Sequence, residues 1–229
     1  AAGRDDRRRA GRVILMENPD PFRDDRERML AEHLAARGIT CPRVLSAMEK
    51  VPRHQFMAAG KQHLAYQDQA LGIDCDQTIS QPYIVAAMSQ ALDLAADHQV
   101  LEIGTGSGYQ AAVLAELAGR VISIERHLPL HEAARERLAR LGYENIELLL
   151  GDGSQGHAAA APHERIMITA AGQNVPGPVW DQLAEGGVLV APLGGEKVQQ
   201  LTRITKYHGK PTSEVLMNCR FVPLVADAQ

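Results

Sequence analysis

The stretch Val100-Leu101-Glu102-Ile103-Gly104-Thr105-Gly106-Ser107-Gly108-Tyr109-Gln110 places three glycines within five positions, directly after a short apolar run. Alanine and leucine dominate residues 111–117, and both favour helix. This order predicts a strand, a tight turn and a helix. Glycine carries no Cβ, so the backbone of such a turn can approach a ligand closely, while the helix N-terminus offers free N–H groups. We therefore predict that a polar, nucleotide-like molecule binds at this turn.

The composition is that of one ordinary globular domain. The 229 residues are 45% hydrophobic and carry a formal net charge of −4, which argues against a polyanion-binding surface. Cys41, Cys75 and Cys219 are far apart and form no CxxC motif, so we expect no metal site and a reducing, cytoplasmic environment. No apolar stretch reaches the roughly 18–20 residues of a membrane helix, and no signal peptide is expected. We expect neither a membrane nor a nucleic acid as partner.

The N-terminal third predicts a tail, a helical cap and a long loop. Residues 1–25 are polar with mixed charges, which predicts a tail, although an arm reaching a partner subunit is an alternative. Residues 26–37 have helical spacing, and Gly38 is placed to end that helix. Pro42 suits the start of the next helix. Residues 61–81 show no periodicity, and a loop of this length is usually functional or disordered.

From Pro82 onward, predicted helices and strands alternate. Pro82 suits the first turn of a helix that reaches residue 94. Further strands are predicted at residues 100–103, 120–125, 146–150, 165–169 and 187–191, and further helices at residues 111–117, 130–141 and 175–183. Pro192 is expected to stop the last of these strands, and Trp180 is expected to be buried. Such alternation predicts a parallel sheet with helices on both faces.

The C-terminal segment breaks this alternation. Residues 198–207 and 214–221 are rich in β-forming residues, which predicts an antiparallel pair at one edge of the sheet. We therefore predict an α/β fold: a Rossmann-like doubly wound sheet, mostly parallel with antiparallel C-terminal strands, plus an N-terminal helical cap. Residues 26–229 would form one domain, in which 26–81 supply the cap and a substrate loop and 82–229 the cofactor-binding core.

The spacing of the glycines favours S-adenosylmethionine as the ligand. Dinucleotide-binding dehydrogenases use G-x-G-x-x-G, whereas here the third glycine, Gly108, comes one place early and Tyr109 follows it. Sites for S-adenosylmethionine more often show E/D-x-G-x-G-x-G, and Glu102 supplies the leading acid. An NAD-dependent oxidoreductase is therefore the poorer interpretation.

Two carboxylates at predicted strand ends fit the same ligand. Glu125 can accept hydrogen bonds from ribose hydroxyls, and Asp152, between two glycines, can accept one from the adenine amine. The alternatives are a surface glutamate and a simple Asx turn. The predicted cofactor-binding residues are Glu102, Gly104, Thr105, Gly106, Ser107, Gly108, Glu125, Arg126, Asp152 and Gly153.

Several segments together resemble protein-L-isoaspartate O-methyltransferases of the bacterial type. The most specific is Thr78-Ile79-Ser80-Gln81-Pro82-Tyr83, and the glycine turn is shared with many methyltransferases. Gly151-Asp152-Gly153, Thr169-Ala170-Ala171, Arg220-Phe221-Val222-Pro223-Leu224 and Val51-Pro52-Arg53 fit the same pattern. The resemblance covers roughly residues 26–225 and implies the methyltransferase form of the doubly wound sheet.

The resemblance implies methyl transfer from S-adenosylmethionine to the α-carboxylate of L-isoaspartyl residues in damaged proteins and peptides. The ester then closes to a succinimide, whose hydrolysis restores some aspartyl residues. Ser80 matches the active-site serine, and we interpret its hydroxyl as a donor that orients the acceptor carboxylate; the alternative is a cap of the helix at Pro82. A carboxylate is already ionised at neutral pH, so no general base is expected. The residues expected on the substrate side are Thr78, Gln81, Thr169, Ala170 and Val222.

One loop departs from the family pattern. Where the family has proline and glycines, this chain has Gly72, Asp74 and Asp76. Aspartate at a position of positive φ is tolerable but costly, and added carboxylates would weaken the binding of acidic peptides. Two other functions stay open: a methyltransferase for a small molecule or RNA, and a non-catalytic protein that keeps the cofactor fold. We expect a monomer that acts on isoaspartyl-containing proteins.

Overall fold

The computed structural model describes residues 20–195 and 198–225. Most of the predicted N-terminal tail therefore lies outside the described residues. The part that is described already belongs to the folded domain, because helix α1 begins at Arg23, three residues earlier than the helix predicted from the sequence.

A helical cap precedes the core. Helix α1 (Arg23–Arg28) continues into a π-helical turn (Met29–Leu34) and a 3₁₀ turn (Ala35–Arg37). Gly38 ends this run with φ +92°, a left-handed conformation that favours glycine, as predicted. Helix α2 (Pro42–Lys50) begins with proline, also as predicted.

The long loop contains a small hairpin. Strands β1 (Leu71–Gly72) and β2 (Thr78–Ile79) pair antiparallel. Cys75 and Asp76 between them have φ +56° and +55°, and the Gln77 N–H donates to the Asp74 carbonyl at 3.1 Å. Two successive residues of positive φ define a type I′ turn. Of the two aspartates that depart from the family pattern, only Asp76 takes the left-handed conformation.

A seven-stranded sheet forms the core, in the order β5-β4-β3-β6-β7-β8-β9. Its strands are β3 (Gln99–Ile103), β4 (Arg120–Glu125), β5 (Ile146–Leu150), β6 (His163–Ile168), β7 (Leu183–Gly194), β8 (Gln199–Tyr207) and β9 (Lys210–Cys219). The first five strands in the sheet are parallel, and β8 and β9 pair antiparallel at the edge. The predicted α/β fold with antiparallel C-terminal strands is thus confirmed.

Helices cover both faces of this sheet. They are α3 (Pro82–Leu92), α4 (Tyr109–Ala115), α5 (Leu128–Arg140) and α6 (Gly177–Gln182). Neighbouring residues of one strand point to opposite faces: Val100 packs in the apolar cluster that contains α3 and α4, and Leu101 in the cluster that contains Val179 of α6. The sheet is therefore doubly wound, and its cap belongs to the cluster of α3 and α4.

Two local predictions were wrong. Strand β7 does not stop at Pro192 but runs through it to Gly194. The Pro192 carbonyl accepts from the Gly172 N–H at 3.3 Å, on the side away from β8, so the missing proline N–H interrupts no hydrogen bond to β8. Trp180 is only half-buried: it packs against the apolar cluster that contains Val179, and the Lys206 ammonium lies 5.0 Å from its ring centroid.

Candidate active site

A cavity open to solvent, with about 920 Å³ of empty space counted up to and into its mouth, lies at the carboxyl ends of β3, β4 and β6. Most of its wall comes from residues 77–80, 103–107, 124–127, 169–170 and 222–225, and Val85, Met88, Tyr109, Gln110 and Gly153 complete it. Ligands of open α/β sheets bind at this edge. Most of the residues predicted for the cofactor therefore meet in one place, as the sequence indicated.

The glycine turn is held tightly against the end of β6. Gly104 has φ +100°, and a Cβ on it would lie 2.3 Å from Thr169 Oγ1. That hydroxyl donates to the carbonyls of Ile103, at 2.9 Å, and Gly104, at 2.6 Å. Gly104 is thus required both by its backbone conformation and by its contact with Thr169, and Thr169 supports the turn as well as lining the cavity.

The Glu125 carboxylate is fixed at the end of β4. Its Oε2 accepts from the Gly106 N–H at 2.8 Å and its Oε1 from the His127 N–H at 2.9 Å. Glu125 is 4% exposed and lines the cavity. Each carboxylate oxygen has two lone pairs, so both retain acceptor capacity for a ligand that carries hydroxyl groups.

Asp152 lies beside the cavity and Gly153 in its wall. The Asp152 carboxylate accepts from the Ser154 N–H at 2.9 Å, which is the Asx turn considered as the alternative. Gly153 lines the cavity, and a Cβ on it would lie 2.4 Å from Ile103 Cγ2. The third strand end therefore contributes mainly backbone to the cavity wall.

Glu102 does not line the cavity. It is fully buried under the turn, and its Oε2 accepts a hydrogen bond from Ser123 Oγ at 2.5 Å. The same Ser123 hydroxyl is hydrogen-bonded to Thr105 Oγ1 at 2.6 Å. Burial raises the pKa of Glu102 to about 8. Glu102 thus supports Thr105 from below. Gly108 is also outside the wall: it is the N-cap of α4 with φ +84°.

A second groove opens from the first cavity. It measures about 1100 Å³, and Thr78, Ser80, Val222 and Pro223 line both spaces. Gln81 lines only this groove. The other residues in its wall are Ala70, Ile84, Asn218, Cys219, Arg220 and Phe221. The substrate-side residues predicted from the sequence therefore divide between the two spaces and meet at their junction.

Ser80 offers a free hydroxyl at this junction. The N-cap of α3 is Gln81, without a side-chain capping bond, so Ser80 does not cap that helix. Within the described part of the chain, Ser80 Oγ has no hydrogen-bond partner, and neither has the N–H of Val222. The Val222 carbonyl accepts from the Ala171 N–H at 2.8 Å, which holds the segment in place. Two residues that line both spaces thus each have a donor without a partner.

Several wall residues were not predicted. Tyr109 and Gln110 follow the glycine turn directly, so their position was a usable signal. Leu224 belongs to the family motif at residues 220–224, whereas His127 and Val225 gave no signal. The Arg126 guanidinium donates to the Val225 carbonyl, 99 residues away, and this contact brings the C-terminal segment to the cavity. A pairing over that distance cannot be inferred from spacing.

The altered loop does not face the second groove. Asp74 lines a neighbouring space beyond Gly106, together with Lys61 and Arg137. Its carboxylate is therefore placed among cations on the glycine-turn side.

In the described residues, no cluster of side chains suited to a metal ion was found, and no helix is long and apolar enough to span a membrane.

The chain is similar to a well-populated family. The family model of protein-L-isoaspartate(D-aspartate) O-methyltransferase matches residues 25–229. A protein-L-isoaspartate O-methyltransferase of Methanoculleus marisnigri is 48% identical over 206 residues, covering 90% of this chain and 94% of the relative. Its counterpart from Dictyoglomus turgidum is 50% identical over 199 residues, covering 87% and 90%.

Solved structures agree with these relatives. A protein-L-isoaspartate O-methyltransferase superposes with a TM-score of 0.80 at 28% identity; the match covers 88% of this chain and 66% of that longer protein. A Plasmodium falciparum protein described as a protein-L-isoaspartate O-methyltransferase, in complex with S-adenosyl-L-homocysteine, has a TM-score of 0.74 at 25% identity, covering 87% and 98%.

Proposed function

The chain belongs to the protein-L-isoaspartate(D-aspartate) O-methyltransferase family, and we propose that it transfers the methyl group of S-adenosylmethionine to the α-carboxylate of L-isoaspartyl residues. The substrates are damaged proteins and peptides, and the ester starts their repair through a succinimide. The observation that carries this proposal is the junction at Ser80, where the cavity lined by the glycine turn and Glu125 meets a second groove. The groove gives a peptide chain access to the methyl group.

The residues of the first cavity suit S-adenosylmethionine. Glu125 is positioned to accept from the ribose hydroxyls, and the backbone of Gly153 forms the part of the wall assigned here to the adenine ring. The backbone of the glycine turn can approach the methionine part closely. When bound, the sulfonium supplies an activated methyl group. Glu102 and Gly108 were predicted as contact residues; Glu102 is assigned here to supporting the turn from below, and Gly108 to starting helix α4.

The acceptor carboxylate would lie between Ser80 Oγ and the Val222 N–H. Two donors on one carboxylate fix its orientation, so that one oxygen faces the methyl carbon. That oxygen forms the new bond as the bond from carbon to sulfur breaks, and the opposite charges cancel. A carboxyl group with an ordinary pKa of about 4 is ionised at pH 7, so no side chain has to remove a proton.

Each donor requires the fold around it. Ser80 is placed by the turn between β2 and α3, and Val222 by its bond to Ala171 at the end of β6. Thr78, Gln81 and Ala170 complete the acceptor side of the walls.

We propose a monomer as the acting form, because this one chain supplies both spaces. Its three cysteines are free, which fits a reducing cytoplasm.

A matched pair of peptides tests the proposal. One peptide carries an L-isoaspartyl residue and its twin carries a normal aspartyl residue; both are incubated with labelled S-adenosylmethionine. We expect labelling of the isoaspartyl peptide only. Ser80→Ala should lower kcat/KM by roughly tenfold to hundredfold, the effect of losing one hydrogen bond to a charged group, while the Kd of S-adenosylhomocysteine stays the same.

Ser213→Ala is the matched control, because Ser213 is an exposed serine on β9 outside both spaces. Equal labelling of both peptides, or of neither, would contradict the proposal. Cofactor binding without any turnover would indicate a non-catalytic protein, and labelling of RNA or small molecules alone a different methyltransferase. A loss of cofactor binding in Ser80→Ala would contradict the place given to Ser80.

A further inference from the structure

Arg53 is a buried cation in the helical cap. It lies in the turn after α2 and is 0% exposed. Its Nε donates to the Ala65 carbonyl at 2.7 Å, and its Nη2 donates to the Ser80 carbonyl, also at 2.7 Å. Its Cζ lies 4.7 Å from the ring centroid of Tyr109, a residue of the cavity wall. The guanidinium thus touches the acceptor loop and the cofactor cavity's lining at once.

This arrangement is poorly explained by stability alone. No acidic side chain forms an ion pair with Arg53 in the described residues, and its Nη1 is buried without a hydrogen-bond partner. Asp68 acts on Arg53 electrostatically but forms its ion pair with Arg37. A buried charge without a direct ion pair is costly, and an apolar side chain in its place is often at least as stable. An unsatisfied buried donor adds to the cost. The two carbonyl contacts therefore point to a function for the charge-bearing group.

The contact with Ser80 has a direct geometric consequence. The Ser80 carbonyl belongs to the residue whose hydroxyl lies at the junction of the two spaces. Fixing that carbonyl restricts the backbone of Ser80 and therefore the direction of its hydroxyl. A planar guanidinium can hold two carbonyls in fixed directions and stack on a ring, whereas a lysine ammonium cannot reproduce that geometry.

We propose that Arg53 is a positioning residue for methyl transfer, which aims the Ser80 hydroxyl at the acceptor carboxylate by fixing the Ser80 carbonyl. This inference rests on the proposed function of Ser80. It assigns to the segment Val51-Pro52-Arg53 a role in the reaction, although none of its residues lines either space.

A double-mutant cycle tests this inference. The variants are Arg53→Lys, Ser80→Ala and both together, assayed with the isoaspartyl peptide. Arg53→Lys should lower kcat/KM by roughly tenfold, and the Kd of S-adenosylhomocysteine should change by less than about twofold. In the Ser80→Ala background, Arg53→Lys should have almost no further effect, because the group that it positions is gone. Additive effects of the two changes would overturn the inference.

Arg43→Lys is the matched control. The Arg43 guanidinium also joins two backbone carbonyls, those of Leu94 and Leu117, but it does not contact the acceptor loop. Its replacement should leave kcat/KM unchanged. An equal fall in Arg43→Lys would show that loosening the cap is enough to reduce activity, and would overturn the specific role of Arg53.

A measurement on the unaltered protein covers the case in which Arg53→Lys does not fold. The ¹⁵N resonance of Arg53 Nη2, the nitrogen that donates to the Ser80 carbonyl, is followed in the complex with S-adenosylhomocysteine. It should shift when the isoaspartyl peptide is added and stay in place with the aspartyl twin. An unshifted resonance in a protein that methylates the isoaspartyl peptide overturns this inference alone; a protein without that activity overturns the proposed function as well.

Discussion

Glu102 shows how a single buried side chain can differ from what its motif indicates. The motif places an acid beside the cofactor, and the sequence alone gives no information about its burial. Desolvation raises the pKa of Glu102 from 4.5 to about 8, and the Ser123 hydrogen bond only partly opposes this shift. Because the pKa of Glu102 is higher in the folded than in the unfolded state, protonation of Glu102 favours the folded state. Its contribution to the free energy of unfolding is complete below pH 4.5 and is lost as the pH rises towards 8.

Glu102→Gln should remove this pH dependence. Glutamine keeps an acceptor for Ser123 but cannot ionise. Between pH 5 and 8, the free energy of unfolding of the unaltered protein should fall relative to the variant by about 1 kcal/mol per pH unit. Urea unfolding at several pH values measures the difference. Glu132→Gln, an exposed position on α5, is the control and should follow the unaltered protein. Parallel curves for Glu102→Gln would contradict the raised pKa.

At the scale of single elements, strong local patterns were predictive and weak ones were not. Strands β4 and β5 have the predicted bounds, because apolar runs bounded by turn residues specify strands well. The end of β7 was predicted wrongly because a proline stops a strand only where its missing N–H would bond the neighbouring strand. The sequence does not show that Pro192 faces away from β8. The β1–β2 hairpin was missed because each strand has two residues and Cys75 and Asp76 replace the usual turn residues.

The hairpin turn should be easy to stabilise. Cys75 and Asp76 both have positive φ, which costs a residue with a Cβ roughly 1–2 kcal/mol. The double change Cys75→Asn and Asp76→Gly supplies the preferred type I′ pair. We expect the free energy of unfolding to rise by about 1 kcal/mol or more, measured by urea unfolding.

Asp74→Gly provides the comparison, since it lies in the same turn without a positive φ. Glycine there adds flexibility to the unfolded chain without relieving strain, so it should give no gain. A gain from Asp74→Gly that equals the gain from the double change would contradict the interpretation of the turn.

For the whole molecule, the cofactor half of the site was predictable and its closure was not. The glycine turn, Glu125 and Gly153 belong to motifs that follow strands, so their meeting at one sheet edge was expected. Ser80 and Val222 came from the family resemblance. The position of Arg53 under Ser80 and the closure by Arg126 and Val225 depend on packing between segments far apart in sequence.

Charge in the second groove should influence the choice of substrate. Arg220 is exposed, and it is the one charged side chain among the described residues lining that groove. Isoaspartyl peptides with an acidic neighbour should therefore have a lower KM than peptides with a basic one, by about twofold to fivefold for an exposed pair. Arg220→Glu should reverse this order, and added salt should weaken it.

Lys210→Glu makes the same change of net charge on β9, outside the groove. It should leave the order of the peptides unchanged. A reversal in both variants would indicate a general effect of net charge, and a reversal in neither would show that Arg220 does not contact the peptide.

The spread of the cavity walls along the chain sets a sequence of events during protein synthesis. β3 can pair with β4 soon after both are synthesised. Its other neighbour, β6, is synthesised much later, because Ile103 pairs with Ile168. The wall at Thr169 comes directly after β6, and the wall at Val225 follows much later. Domains generally fold as units while synthesis proceeds from the N-terminus. A nascent chain therefore carries the glycine turn long before it can enclose a cofactor, and it becomes able to act only after residue 225 has left the ribosome.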